Sequence, residues 1–278
     1  MLSVTATKQL LAVVAAGLLG SAAAASEDLT AIENLHKTVA AYAAPGIPLP
    51  DAATLTVRCG SDMLCAAELV VEAFGGGARL EAVEHPDSDS IRLVTTEPSV
   101  GTVRRLSGGH VLIALDRFGR DAVQELRQAV SEAGAGKLIL DLRANGGGSL
   151  KRMMRLASLF TGPVGEALWI GDGENRRPVA IPVGPPRLDI SALAVLVGPA
   201  TASSAEMLAA LLRQHGGATV VGQRTFGKDY LTRVIPVHHD WQLLIPAERI
   251  EVPGEVLAGG LIPDHPEASV ELPSVEWP

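Results

Sequence analysis

The sequence predicts an α/β fold. A mostly parallel βαβ core follows a small N-terminal helical lobe and precedes a β-rich C-terminal tail. Three observations carry this. Four short apolar runs, at 111–115, 137–142, 192–197 and 218–221, have the length and the Val/Ile/Leu content of buried strands. Helical patterns at 120–133, 150–160 and 205–215 separate them, and such alternation builds a layered unit around a parallel sheet. From Tyr230 onward the runs 231–237 and 241–245 flank His238-His239-Asp240 as a hairpin.

The N-terminal half has a different texture. Residues 27–44 read as a helix, with Ile32, Leu35 and Val39 at spacings of three and four, and Pro45, Pro48 and Pro50 end it. A short strand is expected at 54–58. A second helix is expected over 63–74, capped by Asp62 and stopped by Gly75-Gly76-Gly77. Strands at 79–84 and 90–95 flank a turn-rich segment, 85–89. Pro98, Gly101, Gly108 and Gly109 mark a linker. No recognisable chemistry lies in this half. The expected division is a signal peptide at 1–25, a small lobe at 26–106 and a chemistry-bearing domain at 107–278.

Composition narrows the function. The 278 residues include 23 basic and 31 acidic side chains, a formal charge of −8, and 3% aromatics. A nucleic-acid binder needs a basic face and stacking platforms, and neither is supplied. Lys8, the apolar run 10–19 and the small residues 21–25 form an export signal with cleavage before Ser26 or Glu27. Ten apolar residues are too few to span a bilayer, and no later segment is long and apolar enough. The expectation is a protein without a membrane span, periplasmic or secreted. An oxidising compartment favours a disulfide between Cys59 and Cys65, the two cysteines of the chain.

Three clusters at strand ends carry candidate chemistry. Asp141-Leu142-Arg143-Ala144-Asn145-Gly146-Gly147-Gly148 follows the strand 137–142, and its glycines let backbone N–H groups turn toward an anion. Asp141 and Arg143 are placed to close a buried ion pair. The segment 198–206, Gly-Pro-Ala-Thr-Ala-Ser-Ser-Ala-Glu, leads into a helix. There Ser203 is either an ordinary N-cap or a nucleophile beside free helix N–H groups. Glu206 suits the positive end of the helix dipole. The segment 222–228, Gly-Gln-Arg-Thr-Phe-Gly-Lys, ends in Lys228, either a surface charge or a base. Gly222 and Gly227-Lys228 match part of a phosphate-binding loop, but Asp229 replaces the required Ser or Thr and no helix follows. The Gly-rich loop lacks dinucleotide spacing. His238-His239-Asp240 is a weak metal candidate, since adjacent strand residues point apart. No cofactor or metal is expected.

Taken in order, these segments resemble the carboxyl-terminal processing (tail-specific) serine peptidases. LILDLRANGGG is similar to that family's Asp-Leu-Arg-Gly-Asn-Pro-Gly-Gly loop. ALAVLVGPATASSAEMLAALL is similar to its Ser-Ala-Ser-Ala-Ser-Glu segment, and ATVVGQRTFGK to its Val-Val-Gly-Glu-x-Thr-Phe-Gly-Lys segment. The ending Gly260-Leu261-Ile262-Pro263-Asp264 is similar to its Gly-Ile-x-Pro-Asp close. The resemblance spans roughly 110–265 and implies a ClpP/crotonase-like core. It implies an exported endopeptidase acting on a protein or peptide through an acyl-enzyme, with Ser203 as nucleophile, Lys228 as base, and the amides of Gly147 and Ser204 as the oxyanion hole. A lysine serves as a base near neutral pH when burial disfavours its ammonium, and Phe226, Val220 and Val221 are expected to wall it. Three positions depart from the pattern: Thr232 stands where a Gln often orients the lysine, Gln223 where Glu is common, and Gly146 where Pro is common. Most of the family carries a peptide-binding PDZ module, yet residues 27–106 hold no Gly-Leu-Gly-Phe-like carboxylate loop. The competing reading is a catalytically silent peptidase-like module that binds a peptide or protein partner. The sequence leaves an oligomer open.

Overall fold

The apolar runs of the second half align side by side. The structure, a computed structural model, describes residues 30–43, 47–74, 77–83, 97–238 and 240–266. The chain folds into two units, one of residues 1–85 with 231–248 and one of 86–230 with 249–278.

The second unit is built on a six-stranded sheet of order β11-β8-β7-β4-β3-β2. Its strands are β2 (Val100–Arg105), β3 (His110–Leu115), β4 (Lys137–Asp141), β7 (Ala192–Val197), β8 (Thr219–Gly222) and β11 (His265–Pro266). All neighbours are parallel except β2, which runs antiparallel to β3. The register sets Leu112 beside Ile139 and Ile139 beside Ala194, and these join Leu196 and Val221 in one buried cluster. Helices α4 (Ala122–Ala133), α5 (Leu150–Thr161) and α6 (Ser204–His215) connect or flank the strands. Residues 204–212 of α6 are buried throughout, as expected of a helix enclosed by protein on every side. The strands β4, β7 and β8 are parallel, so the segments that leave their C-terminal ends emerge at one edge of the sheet. In open α/β sheets that edge is where ligands bind. A hairpin, β5 (Val164–Ile170) and β6 (Arg177–Ile181), completes this unit, with Ile250 and Glu251 pairing onto Ile170 and Trp169.

The first unit holds helices α1 (30–42), α2 (Ala52–Cys59) and α3 (Met63–Ala73) with strands β1 (Arg79–Ala82), β9 (Tyr230–His238) and most of β10 (Trp241–Glu251). Strands β1 and β9 both pair with β10. Ile32, Leu35 and Val39 of α1 are buried together with Leu55, Val70, Ile235 and Leu243.

Several elements differ from the sequence reading. Residues 54–58, expected as a strand, lie inside α2. Asp51 accepts the Thr54 N–H at 2.7 Å, and an Asp cap of this kind starts a helix even through β-branched residues. That bond holds the Asp51 carboxyl below its ordinary value of 3.8. The cap is therefore complete above the ordinary aspartate range and is lost as acid protonates it. Residues 100–105, expected in a linker, form the edge strand β2. Its six residues are Val-Gly-Thr-Val-Arg-Arg and all but the first are exposed, a pattern that masks an edge strand. The hairpin of β9 and β10, read as part of the tail, packs in the first unit. Hairpin β5–β6 was not foreseen, because Gly165 and Pro178 read as loop signals. The expected strand at 90–95 and turn at 85–89 lie outside the described residues. Asp62 caps α3 as expected, accepting from Leu64 and Cys65.

Cys59 and Cys65 form a disulfide, S–S 2.02 Å and Cα–Cα 5.6 Å, that ties the end of α2 to the first turn of α3. Replacing both cysteines with alanine should lower the unfolding free energy by about 2 kcal/mol, the value expected for closing so short a loop. Urea denaturation of the oxidised protein and the variant measures it; an unchanged midpoint would show that the crosslink does not constrain the unfolded chain.

Candidate active site

Three loops converge at the C-terminal edge of the parallel sheet, and main-chain hydrogen bonds lock them together. The first follows β4. Asp141 and Arg143 close a two-point ion pair, with Nε to Oδ1 at 2.9 Å and Nη2 to Oδ2 at 2.6 Å. The pairing holds the Arg143 guanidinium above its already high ordinary pKa. Asn145 is fully buried. Its Nδ2 donates to the Leu115 carbonyl at the end of β3 at 2.8 Å, its Oδ1 accepts the Gly147 N–H at 2.9 Å, and its own carbonyl accepts the Ala202 N–H at 3.1 Å.

The second loop precedes α6. Thr201 is also fully buried. Its hydroxyl donates to the Leu142 carbonyl at 2.8 Å and accepts the Gly198 N–H at 3.0 Å. Two residues on, Ser203 has φ 56° and ψ −126° and is the one non-glycine residue with positive φ among the described residues. An ordinary N-cap sits in the β region. A serine held outside it stores about 1–3 kcal/mol and persists only where its surroundings enforce it. Ser203 thus holds the N-cap position of α6 in a strained conformation, with the Glu206 side chain reaching back to its N–H. Gly147 approaches from the first loop. A Cβ placed on it would lie 2.7 Å from the Ala202 carbonyl, 2.9 Å from Ser203 Cβ and 3.1 Å from Ser204 N. Only glycine, here with φ 97°, allows that approach. The Ser204 N–H has no acceptor among the described residues, and its hydroxyl donates to the Gly148 carbonyl at 3.2 Å.

The third loop follows β8 and carries Lys228. Glu206, fully buried one turn into α6, joins it to the second loop. One carboxylate oxygen accepts the Ser203 N–H at 2.7 Å and the Lys228 N–H at 2.9 Å. The other accepts the Gly227 N–H at 2.7 Å and the Thr225 hydroxyl at 2.5 Å. The main-chain nitrogens of Ser203 and Lys228 therefore cannot be farther apart than the sum of their bonds to the shared oxygen. Phe226 N–H adds a bond to the Thr201 carbonyl at 3.0 Å. Thr225 also bonds to Leu261 through its N–H and its hydroxyl, and Gly227 packs so closely on Gly259 and Gly260 that a Cβ would fall 2.6 Å from Gly260 N. This close packing places the Gly-Leu-Ile-Pro-Asp ending behind the third loop.

Lys228 is half-buried, with its Nζ 5.4 Å from the centroid of the Tyr230 ring. The expected wall differs from the observed one. Val220 and Val221 are buried in the sheet, but Phe226 is 66% exposed, because the bonds of its backbone neighbours turn its side chain outward. Thr232 lies in β9 of the first unit, and its hydroxyl is buried with no hydrogen-bond partner among the described residues. Glu206 was read from sequence as a helix-dipole residue. Only its spacing from Ser203 hinted at more, since a Glu three residues after a cap reaches back to the cap N–H. Asn145 and Thr201 gave no signal beyond their place in the motifs. His239 and the side chain of His238 lie outside the described residues, and no group of three or more potential metal ligands occurs among the described ones.

Parallel strands, a strained serine and three interlocked loops together form the candidate site of a hydrolase. Residues 110–265 match the model of peptidase family S41, and the chain belongs to that family of C-terminal processing serine peptidases. It is 29% identical over 237 residues to the carboxyl-terminal-processing peptidase 2, chloroplastic, of Arabidopsis thaliana, covering 80% of this chain and 45% of that protein. It is 30% identical over 170 residues to the carboxyl-terminal-processing protease of a Synechocystis species, covering 59% and 39%. The chain thus spans less than half the length of these relatives. Among solved structures, a lipoprotein from Streptococcus agalactiae shares the fold at TM-score 0.60 and 18% identity, covering 87% of this chain and 92% of that one. The photosystem II D1 C-terminal processing protease shares it at 0.51 and 23%, covering 72% and 50%.

Replacing Glu206 with glutamine keeps the shape but turns an N–H₂ group toward donors. At least one buried N–H then loses its acceptor, a cost of about 1–3 kcal/mol. Urea denaturation of Glu206→Gln should show a loss in that range. A variant as stable as the parent would mean that the four bonds are dispensable.

Proposed function

We propose that this chain is an exported serine endopeptidase that cleaves peptide bonds of a protein or peptide through a Ser/Lys acyl-enzyme. The observation that carries the proposal is the Glu206 carboxylate, which binds the main chain of Ser203 and of Lys228 through one oxygen beside the Gly-rich loop. In the proposed reaction the neutral Lys228 amine takes the Ser203 hydroxyl proton as Oγ attacks the scissile carbonyl carbon. The oxyanion is received by the Ser204 N–H and by the Gly147 N–H, which leaves Asn145 Oδ1 to do so. The tetrahedral intermediate collapses, Lys228 returns the proton to the leaving amine, and an acyl-Ser203 ester remains. Water deprotonated by Lys228 then hydrolyses the ester and restores the serine. Export rests on the leader-like residues 1–25; among the described residues no helix is long and apolar enough to cross a membrane.

A second reading has one observation in its favour. The Gly147 N–H is already bonded to Asn145, so a module that holds a peptide without cleaving it would need no rearrangement there.

Casein cleavage separates the two. Ser203→Ala and Lys228→Ala should each lower kcat by at least about a thousandfold, as expected where nucleophile and base act as a unit. No cleavage by the unmodified protein, together with retained peptide binding, would establish the binding module instead. If Lys228 is the base, kcat/KM rises with pH as the amine loses its proton. A limb that titrates in the histidine range and vanishes in a histidine variant would overturn that assignment.

A further inference from the structure

We infer that the ring of Tyr230 is the positioning group that holds the Lys228 ammonium as it forms, a role that rests on the Ser/Lys peptidase reading and adds a residue to its base. The Nζ atom of Lys228 lies over the Tyr230 ring, 5.4 Å from its centroid. At that distance the negative face of an aromatic ring attracts a cation. Both side chains are half-buried, so water competes only in part for the charge. Thr232 does not take this role, because its buried hydroxyl makes no hydrogen bond among the described residues. The main chain fixes the pair. Glu206 of α6 accepts the Lys228 N–H at 2.9 Å. At Asp229, between the two residues, the carbonyl accepts the Ile250 N–H at 2.6 Å, and the carboxylate accepts from Arg249 Nη1 at 3.1 Å. Tyr230 then opens β9. All of these residues belong to the second unit. The backbone is therefore anchored at Lys228 and again one residue later, and the ring stands where the end of the lysine stem arrives.

The chemistry of the proposed reaction selects one stage at which the ring acts. Before attack the lysine is a neutral amine, and the ring face has little attraction for it. As the Ser203 Oγ–H bond breaks, the proton moves to Nζ and the amine becomes an ammonium. The attraction of the ring appears together with that charge. The ring thus favours the state in which the proton has moved over the state in which it has not, which is the condition for raising kcat. When the ammonium gives its proton to the leaving amine, the attraction lapses and the neutral base is restored. A carboxylate at the same place would hold the ammonium more firmly and oppose that return.

The test uses the full chain with Tyr230→Phe as the reference and the same phenylalanine carrying one, two or three ring fluorines. Fluorine drains negative charge from the ring face and hardly changes its size. Casein cleavage is read at alkaline pH, where kcat no longer rises with pH and Lys228 starts as the amine. Across the series kcat should fall stepwise, by about fivefold in total, while KM and the urea midpoint of unfolding stay constant. Equal kcat throughout would overturn the inference. Losses carried by KM or by the midpoint would overturn it as well, because packing and substrate contact do not depend on the charge of Lys228. A second readout needs no cleavage. With ¹³C-labelled lysine, the ε-CH₂ resonance of Lys228 is assigned by its loss in Lys228→Arg. The ring current should place it upfield of the other lysines, and Tyr230→Leu should return it to their position. A resonance that is not displaced would overturn the inference. A displaced resonance in a protein that does not cleave casein would uphold the pair and remove the peptidase reading. Cleavage with a flat fluorine series would do the reverse.

Discussion

The candidate site depends on one buried carboxylate. Glu206 is withdrawn from solvent and receives four hydrogen bonds, from Ser203, Thr225, Gly227 and Lys228. A carboxylate in so dry a place is tolerated only when its lone pairs are satisfied. That requirement works in both directions. The charge needs all four donors, and the four donors sit on two segments, 203 and 225–228, that nothing in the chain's local preferences would bring together. The cost of leaving the charge unpaired thus becomes the force that fixes the loops against each other.

Two neutral side chains extend this frame. Asn145 bridges the end of β3, the Gly-rich loop and the Ala202 N–H. Thr201 joins the end of β4 to the loop before α6. Both are fully buried, and each bonds main-chain groups that no strand pairing could reach. The strained conformation of Ser203 follows. Its neighbours on either side are held at fixed points, so the backbone must cross the gap through a left-handed turn.

Local patterns account for what was legible in advance. The parallel strands were readable because each is buried on both faces and so appears as a continuous apolar run. Asp62 marked the start of α3 by its own chemistry, as a cap. The edge elements were not readable. Strand β2 is exposed along most of its length and contains Gly101, and β5 and β6 contain Gly165 and Pro178. Their pairing depends on a neighbour, which a local pattern does not encode. The helix α2 was misread because Thr54, Thr56 and Val57 favour strands on propensity, whereas the Asp51 cap and the burial of Leu55 decide for a helix.

The sequence determined the order of the buried parallel strands and of the helices between them, the segments that bear chemistry, and the residue types at Ser203, Lys228 and the glycines, because all of these reside in short stretches of chain. Tertiary structure decided which groups share a partner. That Glu206 serves the third loop as well as its own helix, that Phe226 faces outward, and that the Gly147 N–H is engaged by Asn145 all depend on how separate segments pack. Such contacts are set by the packing of the parallel sheet and its helices, and no spacing within a single segment records them.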